Sequence, residues 1–258
     1  MPTSRTLHVD GHTIGALSFN EDQPGLPQAV FLHGIMSSLR FWVAGQTPIF
    51  TERYAWHTLS LPGHYPAAFP AGFCRADLTP ESITDVLAGA IRQLTGGQPA
   101  LIVGHSTGGF AAVALAARHP ELARAVISVS GFAHGRWTGA LGLMQGFARA
   151  GLLGDALFRA NLRLMASSRA LFQSSASLYT ADRDAFASHP LMSRTIDALY
   201  EDTQQLDSSA MAHYFARMPD IDITGWLPQI SAPLLAITGD HDPIVPPQQS
   251  SLIAGHVQ

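Results

Sequence analysis

The segment "LIVGHSTGGF", residues 101–110, is the part of the sequence that decides the fold. It begins as a continuous apolar run, typical of a strand buried on both faces, and continues into a helical pattern. Ser106 stands between the two patterns, with Gly104 two residues before it and Gly108 two residues after it. A G-x-S-x-G pattern between a strand and a helix predicts a nucleophile elbow, a sharp turn that presents a strained serine. The residues of this segment alone leave one alternative open, a plain glycine turn.

Apolar strand patterns alternate with helical patterns along most of the chain, which is typical of βαβ units. Further strand patterns lie at residues 29–34, 54–63, 125–130 and 232–239, and helical patterns lie at residues 37–50, 78–94, 107–120 and 246–258. The sequence therefore predicts an α/β fold with a mainly parallel, doubly wound sheet. Asp10-Gly11 predicts a hairpin within residues 5–18, and Thr79 followed by Pro80 predicts the start of the second helix.

Residues 132–220 interrupt this alternation, because they contain helical patterns without a convincing strand. We interpret them as an inserted helical cap. The predicted division is an α/β core at residues 1–131 and 221–258, and a cap at residues 132–220.

Composition excludes several classes of function. The chain has 258 residues and a net charge of −4, so it offers no basic surface for nucleic acid. All 15 basic residues are arginine, which excludes a Schiff-base lysine, a Ser–Lys dyad and a phosphate-loop lysine. A single cysteine (Cys74), no secretory signal pattern and no apolar run of about 18 residues predict a cytoplasmic protein without a membrane partner. No histidine spacing indicates a metal site, and we expect no cofactor.

Two more strand ends carry residues suited to acyl chemistry. "FLHGIMSS", residues 31–38, follows one strand and could supply the amide of Ile35 to an oxyanion hole, together with the amide of Thr107. "GDHDPIVP", residues 239–246, follows another strand, and Asp242 there could orient an imidazole, with Asp240 as the competing candidate.

Together these segments resemble the α/β-hydrolase family, in particular its members with a serine nucleophile and a helical cap. The resemblance rests on "HGIMSS", "LPGHYPA" (residues 61–67), "GHSTGG" and "GDHDPIVP", and it covers nearly the whole chain. It implies that Ser106 is the nucleophile, that Asp242 is the triad acid, and that Ile35 and Thr107 supply the oxyanion amides. Dehalogenases and epoxide hydrolases resemble this chain less, since they place an aspartate where Ser106 stands.

The triad histidine has no clear position. In this family the order is serine, acid and then histidine, and His256 is the one histidine that follows Asp242. It is a weak candidate, because a helix that begins near Pro246 carries it about 15 Å away from the strand ends. We expect packing or loop hydrogen bonds for His33 and His105, whereas His134 and His213 could face the pocket and His241 should point elsewhere.

Two interpretations of this gap remain open. In the first, the chain stops before the C-terminal strand and histidine loop of a working enzyme. In the second, it is a catalytically impaired or non-catalytic relative that binds a ligand.

The predicted function is hydrolysis of a carboxylic ester or related acyl bond of a small-molecule substrate, through an acyl-enzyme. Perhydrolase, thioesterase, C–C hydrolase and lyase chemistry remain open with the same residues. Phe132, Trp137, Met144 and Met165 in the cap suggest a largely apolar pocket.

Overall fold

One seven-stranded sheet organises the protein. The structure is a computed structural model that describes residues 2–256. The strands are β1 (Thr3–Val9), β2 (His12–Phe19), β3 (Gln28–Leu32), β4 (Ala55–Leu59), β5 (Ala100–His105), β6 (Ala123–Val129) and β7 (Leu234–Ile237). They lie side by side in the order β1-β2-β4-β3-β5-β6-β7.

The sheet is mainly parallel. β3 pairs in parallel with β4 and β5, and β6 pairs in parallel with β5 and β7, whereas β2 is antiparallel to β1 and β4. The β1–β2 connection is the predicted hairpin, with Asp10 at φ 48° and Gly11 at φ 79°, as a tight turn with two left-handed residues requires. The carboxyl ends of β3, β5, β6 and β7 therefore meet at one edge, where ligands bind in open α/β sheets.

Helices cover both faces of this sheet. The helices are α1 (Arg40–Ala44), α2 (Pro48–Arg53), α3 (Pro80–Thr95), α4 (Thr107–Arg118), α5 (Gly139–Arg149), α6 (Gly151–Ala166), α7 (Arg169–Ser177), α8 (Arg183–Ser188), α9 (Pro190–Thr203), α10 (Ser208–Arg217) and α11 (Gln248–His256). On one face α4 is buried from Thr107 to Ala117 and packs on β5 and β6. On the other face Phe31 and Trp56 form a smaller apolar cluster, against which Trp42 and Phe50 pack. The predicted α/β fold with a doubly wound sheet is confirmed.

Residues 37–50 do not form the single helix that the sequence predicts. They contain α1 and the start of α2, which are separate because α1 ends at Gly45 and Pro48 begins a new helix. Proline cannot donate the backbone hydrogen bond that a continuous helix would need at that position. The amphipathic pattern therefore continues through residues 37–50, but the helix is interrupted at Gly45 and Pro48.

Helices α5 to α10 lie between β6 and β7, in the region predicted to be helical. The division of the chain into a core and a cap at residues 132 and 220 stays a prediction. Within residues 2–256, no strand follows β7, and no helix is long and apolar enough to cross a membrane.

Candidate active site

Ser106 occupies a strained turn between β5 and α4. Its φ of 54° and ψ of −117° lie in a region that residues with a side chain rarely adopt. The turn is held on both sides, since the Ser106 N–H donates to the Val129 carbonyl oxygen (2.8 Å) and Phe110 N–H donates to the Ser106 carbonyl oxygen (2.9 Å). The side chain consequently stands at the carboxyl edge of the sheet and at the start of a helix.

Gly104 and Gly108 permit this turn through close backbone approach. A Cβ at Gly104 would overlap the carbonyl group of Gly108, and a Cβ at Gly108 would overlap the carbonyl oxygens of Leu32 and His33. Any larger residue would force the strand, the helix or the loop after β3 apart. The glycine spacing around Ser106 is therefore a packing requirement of the elbow.

Two backbone amides near Ser106 are unpaired. Thr107 is the first residue of α4, so its N–H has no partner within the helix. Among residues 2–256, neither the Thr107 N–H nor the Ile35 N–H donates a hydrogen bond to another group of the protein. Ile35 and Ser106 line the same cavity. These amides are where the sequence predicted an oxyanion hole.

His33 fixes the orientation of the Ile35 amide. Its Nδ1–H donates to the Gly34 carbonyl oxygen (2.8 Å), which also accepts from Ser37 N–H (3.3 Å). A trans peptide directs its carbonyl and its following N–H to opposite sides, so holding the Gly34 oxygen also directs the Ile35 N–H. His33 Nε2 accepts from Leu61 N–H (3.1 Å), which identifies a neutral ring. Burial lowers the pKa of His33 to about 4, in agreement with that state.

Asp242 lies on the loop after β7 and lines the cavity together with Ser106. Its Oδ1 accepts from the N–H groups of Ile244 and Val245, each at 2.9 Å, which fixes the carboxylate. Within the described residues, Oδ2 has no partner and is free to accept another hydrogen bond. Asp240, the competing candidate, is exposed and is absent from the cavity lining.

The structure separates His256 from the other predicted site residues. His256 is the last residue of α11, is exposed, and donates from Nδ1 to the Leu252 carbonyl oxygen (2.9 Å). It does not line the cavity, and neither do His134 or His213. The sequence argument that disfavoured His256 agrees with this position.

His105 is the histidine that does line the cavity. Its ring stacks on Phe41, with 5.1 Å between the ring centroids. Burial lowers the pKa of His105 to about 4, and the nearby charge of Asp242 partly opposes this shift. No histidine within residues 2–256 makes a hydrogen bond to the side chain of Ser106 or Asp242.

The cavity itself is apolar, with a volume of about 340 Å³. Helices α6, α7 and α9, with the turn after α7, supply much of its wall, which includes Met165, Phe172, Tyr179, Met192, Ile196 and Leu199. Among the described lining residues, Asp242 has the only charged side chain, since His105 is neutral above its pKa.

Of the four residues that the sequence suggested for the pocket wall, one lines the cavity. Met165 lines the cavity, whereas Phe132, Trp137 and Met144 are buried in the core and do not. Trp137 packs edge-on against Phe132 and Phe215, which shows why a large apolar side chain in a helical region is no guide to the pocket. Ser130, with φ 47° after β6, also lines the cavity and was missed. Within residues 2–256, no group of three or more His, Cys, Asp or Glu side chains could hold a metal ion.

Comparison with known proteins agrees with the fold. The family model of the alpha/beta hydrolase fold matches residues 30–257. The chain therefore belongs to the alpha/beta hydrolase fold family, as its motifs had suggested.

Solved structures of similar fold include an enol-lactonase and an esterase. The enol-lactonase from Burkholderia xenovorans LB400 superposes with a TM-score of 0.75 at 19% identity, covering 98% of this chain and 88% of that one. The thermophilic esterase from Thermogutta terrifontis superposes with a TM-score of 0.69 at 18% identity, covering 100% of this chain and 86% of that one. At such identities the likeness shows the fold alone.

Curated relatives match over a short segment. L-serine/homoserine O-acetyltransferase from Streptomyces lavendulae is 50% identical over 58 residues, which is 22% of this chain and 16% of that protein. Serine O-succinyltransferase from Xanthomonas oryzae pv. oryzae (strain MAFF 311018) is 44% identical over 57 residues, which is 22% of this chain and 14% of that protein. The matched segment is thus a small part of each relative.

Proposed function

We propose that this protein hydrolyses carboxylic esters, or closely related acyl bonds, of small and largely apolar substrates, with Ser106 as the nucleophile. One observation carries the proposal: a serine in a strained strand-to-helix turn faces an apolar cavity beside unpaired backbone amides. Strain and unsatisfied donors are costly to maintain, and they cluster where chemistry requires them.

The proposed reaction has two halves. Ser106 Oγ attacks the carbonyl carbon, and the oxygen that becomes negative accepts from the Ile35 and Thr107 amides. The C–O bond to the alcohol breaks, and the alcohol leaves with the proton that the serine has lost. Water then attacks the acyl-enzyme, which releases the carboxylic acid and restores the Ser106 hydroxyl. Asp242 Oδ2 is available to orient a base, and we assign that base to none of the histidines within residues 2–256.

The cavity is suited to a neutral acyl group and is poorly suited to an amino acid as the acceptor of that group. The carboxylate of serine or homoserine is best bound by an arginine or lysine, because paired charges tolerate burial. The described cavity wall contains neither, and its one charge, on Asp242, is negative. We therefore propose that water receives the acyl group, unlike in the acyltransferases that match part of the chain.

Ester hydrolysis by the purified chain tests this proposal. We expect p-nitrophenyl butyrate to be hydrolysed with a higher kcat/KM than the charged p-nitrophenyl succinate, because the apolar wall excludes a carboxylate. Ser106→Ala should lower kcat at least about 10³-fold, since it removes the nucleophile. Ser167→Ala is the matched control, because Ser167 is an exposed serine at the end of α6. Equal rates for Ser106→Ala and the unmodified protein, or O-acetylserine formation from acetyl-CoA and L-serine, would contradict the proposal.

One observation favours a second function, the binding of an apolar ligand without turnover. Within residues 2–256 no histidine is hydrogen-bonded to Ser106 or Asp242, so proton removal from the serine lacks an evident base. A ligand-binding protein would bind a non-hydrolysable butyrate amide with the same Kd in the unmodified and Ser106→Ala chains, and neither chain would show ester turnover above background.

A further inference from the structure

Helices α5 and α6 expose a cluster of large apolar side chains on the side away from the core. Leu143, Phe147, Leu152, Leu153, Leu157 and Leu164 are between 47% and 94% exposed. Scattered exposed leucines need no explanation, but a contiguous apolar patch of several hundred Å² marks an interaction site in soluble proteins.

The two helices pack as an antiparallel hairpin, which makes the patch continuous. A single residue, Ala150, connects them. Near the connection, Gly154 lies against the Phe147 carbonyl oxygen, and further along Asn161 Nδ2 contacts Met144 Sδ at 3.9 Å. In an antiparallel pair, residues at equal distances from the connection lie side by side. Phe147 is therefore beside Leu153, and Leu143 is beside Leu157.

Helix α6 is apolar on two opposite sides. Phe158 and Leu162 are buried against the core. Leu153, Leu157, Ala160 and Leu164 follow the spacing i, i+4, i+7, i+11 on the exposed side. That spacing is the a/d seam by which one helix packs against another. A surface helix of a globular protein normally has one apolar side, so the second apolar side of α6 indicates a further packing partner.

We propose that this seam, flanked by Leu143 and Phe147, binds the same surface of a second copy of the chain about a two-fold axis. In such a pair the two α6 helices run antiparallel, so Leu153 faces Leu164 of the second copy and Leu157 faces Ala160 of the second copy. Each bulky leucine at the centre thus meets a small alanine, which makes the surface complementary to itself.

The exposed area and the charges favour this occupant over a lipid surface. A stable complex uses roughly 800 Å² from each partner, and the five exposed leucine and phenylalanine side chains of this surface supply a large part of that area. Binding to anionic lipid typically needs a cluster of about four to eight basic residues. The exposed residues of α5 and α6 include two basic ones, Arg149 and Arg163. Arg149 is already paired with Asp220 (2.9 Å).

The same hairpin lines the substrate cavity on its inner side, through Leu141 and Met165. Association of two copies would therefore hold one wall of the cavity in place, although the proposal does not depend on the ester chemistry.

Sedimentation equilibrium of the full chain tests the proposal, with Leu157→Glu as the variant and Ile49→Glu as its matched control. Leu157 and Ile49 are both exposed aliphatic residues on helices, at 50% and 56%. We expect the unmodified chain and Ile49→Glu to form dimers, and Leu157→Glu to raise the dimer dissociation constant at least about tenfold. Leu153→Glu, at a more exposed position, should act in the same way and serves if Leu157→Glu does not fold by circular dichroism.

Three outcomes would overturn the proposal. The unmodified chain could remain a monomer at about 100 µM, or it could dimerise with the same dissociation constant in both seam variants. It could also remain a monomer and co-sediment with phosphatidylserine vesicles in a manner that Leu157→Glu abolishes, which would assign the surface to lipid.

Discussion

At the scale of single residues, His33 shows how a buried side chain can set the geometry of a site that it does not touch. It donates to one side of the Gly34–Ile35 peptide and thereby directs the N–H on the other side toward the cavity. We regard it as a positioning residue for the proposed oxyanion hole. The sequence placed His33 beside this loop, but the second bond, from Leu61 N–H, joins segments 28 residues apart and cannot be read from local spacing.

Replacing His33 should lower turnover and leave substrate binding unchanged. In His33→Ala the Gly34 carbonyl loses one of its two donors, and we expect kcat for p-nitrophenyl butyrate to fall about 10- to 100-fold with a similar KM. His33→Asn should recover part of the loss, because its amide can still donate to the same carbonyl.

His57→Asn is the matched control for this pair of variants. His57 is also buried and hydrogen-bonded twice, to Ser18 and Gln28, but it lies in the middle of β4 and does not line the cavity. Its replacement should change stability without changing kcat. A positioning role for His33 would be wrong if both variants of His33 changed only the melting temperature.

At the scale of elements, the sequence predicted the start of a helix correctly where a single capping residue determines it. Thr79 begins α3 as predicted, and its Oγ1 accepts from Ser82 N–H (3.1 Å) while Ser82 Oγ accepts from Thr79 N–H (3.0 Å). Local signals failed for α1 and α2, where amphipathicity continued across Gly45 and Pro48. Periodicity predicts a helical face, but the breaks depend on individual residues within it.

Two N-cap threonines provide a matched test of capping. Thr79 and Thr47 each precede a helix with proline at its first position, but the side chain of Thr47 makes no capping hydrogen bond. Thr79→Ala should lower the free energy of unfolding by about 1 kcal/mol, whereas Thr47→Ala should be nearly neutral. Urea denaturation measures both, and equal losses in the two variants would show that the capping bond at Thr79 contributes nothing specific.

At the scale of the whole molecule, the sheet could be predicted from sequence and the cavity wall could not. Ser106, Ile35 and Asp242 each follow a strand. Because parallel strands bring their carboxyl ends together, the order of strands and loops along the sequence was enough to predict that these residues lie at one edge of the sheet. Phe172 and Leu199 reach the cavity from α7 and α9. Which side of those helices faces the sheet depends on how the whole helical region packs, and no local pattern specifies it.

Buried histidines should make the whole protein sensitive to acid. Burial lowers the pKa of His33, His57 and His105 to about 4, and it lowers the pKa of His64 well below its usual value. In the unfolded chain these rings titrate near pH 6.5, so between pH 6.5 and 4 the unfolded state binds more protons. The free energy of unfolding should fall as the pH falls through this window, by up to roughly 1.4 kcal/mol per pH unit for each histidine.

Denaturation in urea between pH 7.5 and 4.5, at constant protein concentration, measures this slope. His57→Asn should reduce it by roughly 1.4 kcal/mol per pH unit, because it removes one of the four groups. A free energy of unfolding that is constant or rises toward pH 4.5 would contradict the assignment of these histidines as neutral and buried.

The central claim is that the elbow holds Ser106 as a reactive nucleophile at the apolar cavity. Reaction of the folded chain with an alkyl fluorophosphonate, followed by intact-mass measurement and peptide mapping, tests it most directly. We predict one phosphonyl adduct per chain, located on Ser106, and no adduct on Ser106→Ala. An unlabelled Ser106 in the folded chain, or equal labelling of Ser106→Ala, would contradict the claim.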